Sequence, residues 1–172
     1  MVKDWRLSTF NGALLAAYFI PAWTIAALKI WISPVRGLFD PANAAPGMFF
    51  SDHLSWSGLQ TIRFAWLLAL GKFVVAAFFL LFLILILRET IRHRSYCDEA
   101  LSYALLFGSV ISMASLFSAS ALGEAAALRL HASETLALIG AGIILLVDTP
   151  QQNKATRPDY DGPPLSETSY QS

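Results

Sequence analysis

The stretch FAWLLALGKFVVAAFFLLFLILIL, Phe64 to Leu87, lies between Arg63 and Arg88 and contains one charge in 24 residues, Lys72. A hydrocarbon core of about 30 Å needs about 20 apolar residues in a helix, so this segment reads as a membrane span. The same test finds others on either side. Leu7 to Leu28 is 22 uncharged residues between Arg6 and Lys29, and Ala100 to Gly123 is 24 between Glu99 and Glu124. Composition agrees: 56% of the chain is hydrophobic and 14% charged, against about 25% charged in soluble domains.

The fourth span is harder to read. Thr135 to Val147 is 13 uncharged residues, only about 20 Å of helix. Extension back through Ala125–Leu128 restores the length, because these are good helix formers, but it draws Arg129, His131 and Glu134 into the span. A tilted or re-entrant half-span is the competing form. The longer helix is preferred. The expected fold is therefore an all-α, integral membrane four-helix bundle over residues 1–148, with spans at about 9–32, 61–87, 100–123 and 126–147.

Orientation follows from Lys and Arg near the span ends. With the N-terminus inside, the inner side holds seven (Lys3, Arg6, Arg88, Arg92, Arg94, Lys154, Arg157). The outer side holds Arg36, Arg63 and Arg129, with Lys29 at the end of the first span. The positive-inside rule places both termini inside, and the expected location is the bacterial inner (plasma) membrane. Lys3 and Arg6 ahead of an apolar stretch resemble a signal peptide, but the uncharged run is longer than a signal core. It is read as a true span, kinked at Pro21.

Between the first two spans runs a long outer loop. Pro34, Pro41 and Pro46 forbid one continuous helix there, yet Leu38, Phe39, Met48, Phe49, Phe50, Leu54 and Trp56 are too apolar for a free loop. It is expected to lie on the bilayer interface or to cover the outer mouth of the bundle. Trp31, Trp56 and Trp66 suit an outer aromatic belt, and Trp5 an inner one. Residues 149–172, rich in proline and polar side chains, read as a disordered inner tail.

Polar groups inside a span are costly and mark packing or function. Lys72 lies nine residues beyond Arg63, about 14 Å into the helix, and shares a face with Ala65, Ala69 and Ala76. It is expected to point into the bundle, with Glu134 at the same depth as an intramembrane charge partner. Ser112 and Ser115 offer hydroxyls nearby. Ala104, Gly108, Ser112, Ser115 and Ala119 form one small-residue stripe suited to close helix packing. Gly12 with Ala16, and Gly140 with Ala137, are expected to act likewise.

Chemistry is hard to find. One cysteine, Cys97, excludes an internal disulfide and a zinc-ribbon spacing. There is no phosphate loop, nucleophile elbow or HExxH spacing. No histidine pair lies inside the spans as a haem would need, and no catalytic, cofactor or metal residue is assigned. The leading reading is an accessory or assembly subunit acting through helix–helix contacts. Its expected partners are the lipid bilayer, other membrane subunits or a second copy, and not nucleic acid. The alternatives are a small transporter or channel using Lys72 and Glu134, and a membrane redox or metal-binding protein with an outer-side site around His53 and His131.

Overall fold

In a computed structural model of the chain, the described residues are 7–40, 43–88 and 95–155. They are helical apart from short turns, with no strand among them. The elements are α1 (Leu7–Ile32), α2 (Pro34–Leu38), α3 (Ala44–His53), α4 (Gly58–Leu87), α5 (Ser95–Leu122) and α6 (Ala125–Ala155). Four of these, α1, α4, α5 and α6, are long and apolar enough to cross a membrane. Each packs against the next, and α1 closes the ring against α6. Only 28–33% of each spanning segment is buried inside the bundle, so most of each helix presents Leu, Ile, Val and Phe outward. That surface suits hydrocarbon rather than water.

The ends of the four long helices lie alternately at two ends of the bundle. The terminal end carries the start of α1, the end of α4, the start of α5 and the C-terminal part of α6. The loop end carries α2, α3 and the tight α5–α6 turn. That turn is a Schellman motif: Gly123 takes φ +71 and its N–H donates to Ser120 O, while Glu124 N–H donates to Ala119 O. Glycine at this position avoids the Cβ clash of left-handed backbone. α6 begins at Ala125 and continues without a break. The fourth span is thus a full helix carrying Arg129, His131 and Glu134, not a half-span. It runs on to Ala155, past the boundary read at 148, and the tail at 156–172 lies outside the described residues.

α1 continues helically through Pro21, which is on its exposed face. Pro34 occupies the first turn of α2 and Pro46 the first turn of α3, where a missing N–H costs no helical bond. The first loop is folded onto the bundle rather than free. α2 packs on α1 and α4, and α3 on α5 and α4. Gly37 makes the first contact possible: a Cβ there would collide with the α1 backbone at Lys29 and Ile30. α4 starts at Ser57, whose N–H is capped by the Gln60 side chain at 2.8 Å. At the terminal end, the backbone N–H of Ser8 in the first turn of α1 donates to Asp148 of α6 at 3.0 Å. A carboxylate is favourable at a helix N-terminus, so this contact also joins the two ends of the chain's spanning region.

Small residues close the bundle where the helices approach. Ala104, Gly108, Ser112, Ser115 and Ala119 are all buried, and a Cβ on Gly108 would touch Leu138 and Val75 at 3.4–3.5 Å. Gly12 is tighter, since a Cβ would meet Phe82 and Leu101 at 2.8–2.9 Å. α6 departs from the expectation. Ala137 is exposed and a Cβ on Gly140 would meet nothing within 4 Å, because these residues lie on the outer face. Ala127 and Ala141 are the small residues that α6 turns inward.

Candidate functional site: a buried polar chamber

Several buried polar residues of the spans lie in the half of the bundle nearer the loop end. Glu134 lies nine residues into α6, about 14 Å along the helix. Trp23 lies nine residues before the end of α1 at Ile32. Ser112 lies ten residues before the end of α5, and Thr135 ten residues after the start of α6. Antiparallel packing across the short α5–α6 turn therefore sets these two at equal depth. Lys72 enters from α4, on the face that buries Ala65, Ala69 and Ala76.

Lys72 is 2% exposed and Glu134 6%. Both touch Trp23. Its indole N–H donates to Glu134 Oε1 at 3.1 Å, and Lys72 Nζ lies 5.7 Å from its ring centroid, within cation–π range. The other Glu134 oxygen, Oε2, is 3.0 Å from Nδ1 of His131, one turn earlier on α6. An ionised carboxylate accepts only, so Nδ1 carries the hydrogen in that state. The Tyr18 hydroxyl is within electrostatic reach of the same carboxylate.

Lys72 hydrogen-bonds to Asn43 Oδ1. Asn43 sits between α2 and α3 and is completely buried. Its Nδ2 donates to Gly37 O at 3.0 Å and to Ala26 O at 3.4 Å. One amide thus ties α2 to α4, with a longer contact to α1, and it seats the first loop as a plug in the loop end. On the outside of this plug, Lys29 and Asp40 form a surface ion pair at 2.9 Å.

The opposite side of the chamber is apolar. Phe19, Val75, Phe79 and Leu138 are each 0% exposed. Phe19 stacks on Phe79 at 5.6 Å and meets Trp23 edge-on at 5.1 Å. These four side chains form a floor between the polar level and the terminal end. Within the chamber, Ser112 Oγ, Thr135 Oγ1 and His131 Nε2 are buried and have no hydrogen-bond partner among the described residues.

Lys72 and Glu134 thus share the chamber through Trp23, with Ser112 and Thr135 buried at about the same depth. Asn43 and Trp23 have no counterpart in the sequence reading. His53 is elsewhere: it is exposed at the end of α3, stacked on Phe49 at 4.3 Å. Among the described residues, no three His, Cys, Asp or Glu side chains come together as a metal site would require. The chain matches no family model, and no curated protein or solved structure is significantly similar to it.

Proposed function

We propose that the protein is an accessory or assembly subunit of a bacterial inner membrane, with both termini on the cytoplasmic side, working through its apolar outer faces and the plugged loop end. One observation carries this reading. The two buried charges of the spans, Lys72 and Glu134, both have polar partners, and an apolar floor lies beside them. Lys72 holds Asn43, and Glu134 holds Trp23 and His131. Phe19, Val75, Phe79 and Leu138 separate that level from the terminal end. A carrier path needs polar access from both sides in turn, whereas a lock that positions a folded loop needs none. In this role Lys72 and Glu134 are a structural charge pair, balanced across the Trp23 ring.

A second reading, a small proton- or ion-handling transporter, draws on the partnerless Ser112 Oγ, Thr135 Oγ1 and His131 Nε2. Ionisable residues inside a membrane often mark such paths. One experiment separates the two. The full chain, reconstituted in liposomes under a pH gradient and then a potassium gradient, should dissipate neither faster than empty vesicles. The variants Lys72→Met, Glu134→Leu and their combination are measured alongside for stability. Each single change should lower stability by about 3–5 kcal/mol, as for a broken buried pair, and the double variant should recover part of the loss. Flux that depends on Lys72 and Glu134 would overturn the subunit reading and establish the transporter.

A further inference from the structure

An apolar groove of about 440 Å³ runs down the outer side of α4 and α5 beneath α3. Its walls include Leu67, Leu70 and Val74 of α4 and Phe107 and Val110 of α5, and Pro46 and Phe50 of α3 also line it. Gly71 and Ala114 lie on its floor, where the lack of bulk keeps the helices' outer faces concave. Leu67, Leu70, Val74, Phe107 and Val110 are all well exposed, so the groove opens sideways to whatever surrounds the bundle.

Two features specify the occupant. The first is length. From Phe64 to Val74 is ten residues of α4, about 15 Å of helix, and one leaflet is half of a core about 30 Å thick. The groove is as long as one acyl chain is deep, and it begins at the loop end. The second is charge. Arg63, Leu67, Leu70 and Val74 follow each other at helical spacing on one face of α4, with Arg63 at the end where headgroups lie. Arg63 is exposed and belongs to neither the Lys29–Asp40 nor the His131–Glu134 ion pair. Side chains on a helix lean toward its N-terminus, so the guanidinium points from the groove toward the headgroup layer. There it can bind a phosphate with paired N–H donors.

We propose that this groove is a binding site for one anionic phospholipid of the loop-end leaflet, with an acyl chain along α4 and α5 and its phosphate on Arg63. The occupant is specified by the pairing of a cationic head position with a leaflet-length apolar trough. A neutral isoprenoid chain would use the trough but have no need of the arginine.

The test is native mass spectrometry of the full chain released from nanodiscs containing equal phosphatidylglycerol and phosphatidylcholine. The parent should retain one phosphatidylglycerol in preference to phosphatidylcholine. Arg63→Gln should lower that preference roughly fivefold, the effect of one basic residue near an anionic surface. Ala114→Trp should fill the groove and abolish retention of either lipid. Val110→Phe, on the exposed wall, should weaken retention should the tryptophan variant fail to fold. Lys29→Gln, at the same end but off the groove, should leave it unchanged. Equal retention of the two lipids by the parent would overturn the proposal. So would unchanged phosphatidylglycerol binding in folded Ala114→Trp and Val110→Phe, or an Arg63→Gln preference equal to the parent's.

Discussion

Replacing Asn43 by leucine tests how the first loop is held. The side chains are similar in volume, so the change removes hydrogen bonds with little loss of packing. Three contacts go. The bond from the Lys72 ammonium is charge-assisted and contributes about 1.5–3 kcal/mol, and the 3.0 Å bond to Gly37 O contributes about 0.5–1.5 kcal/mol. The bond to Ala26 O, at 3.4 Å, is long enough to be counted as nothing. The expected loss is therefore about 2–4.5 kcal/mol, with the lower bound worth roughly 30-fold in the unfolding constant. It should appear in an SDS titration of the protein in mixed micelles. A local readout should move with it. In a Cys97→Ser background, a cysteine placed at Ala45, which is 1% exposed, should react slowly with a polar maleimide. Adding Asn43→Leu should speed labelling by a similar factor, because the plug opens before the bundle unfolds. Unchanged stability together with unchanged labelling would show that the loop is seated by its apolar contacts and that Asn43 plays no part.

Gly12→Ala should destabilise by about 1–3 kcal/mol through overpacking against Phe82 and Leu101. Gly140→Ala, which meets nothing within 4 Å, should instead stabilise by about 0.5–1 kcal/mol through helix propensity; the pair is read in the same SDS titration. Lys29→Ala should cost less than about 1 kcal/mol, because its partner Asp40 lies with it at the surface; a larger loss would mean that the ion pair helps hold the plug. For topology, single cysteines at Asp52 and Arg92 in the Cys97→Ser background should be labelled from opposite sides of the membrane, Asp52 from outside. Labelling of Asp52 from the inner side alone would invert the orientation.

Three of the four spans were readable from the chain because hydrophobic length is a local sum, whereas the fourth, with 13 uncharged residues, needed the helix propensity of Ala125–Leu128 to reach full length. Phe64–Leu87 is long and apolar enough to span whatever packs against it. The small-residue stripe of α5 was readable for a related reason: helical spacing alone puts Ala104, Gly108, Ser112, Ser115 and Ala119 on one face. That Lys72 faces inward followed in the same way from Ala65, Ala69 and Ala76. Periodicity does not say which face of a wholly apolar helix is inside, however. Gly140 and Ala137 of α6, equally small, turn outward. The chamber's partners were further out of reach. Trp23 and Glu134 are 111 positions apart, and Asn43 and Lys72 are 29 apart. Nothing in an apolar, proline-interrupted loop marks one asparagine as the residue that bonds a buried lysine. A buried charge must find a polar partner in a medium without water, and the chain alone states that need. Which partner meets it depends on α2 and α3 folding back into the bundle, and that is a matter of how the helices pack.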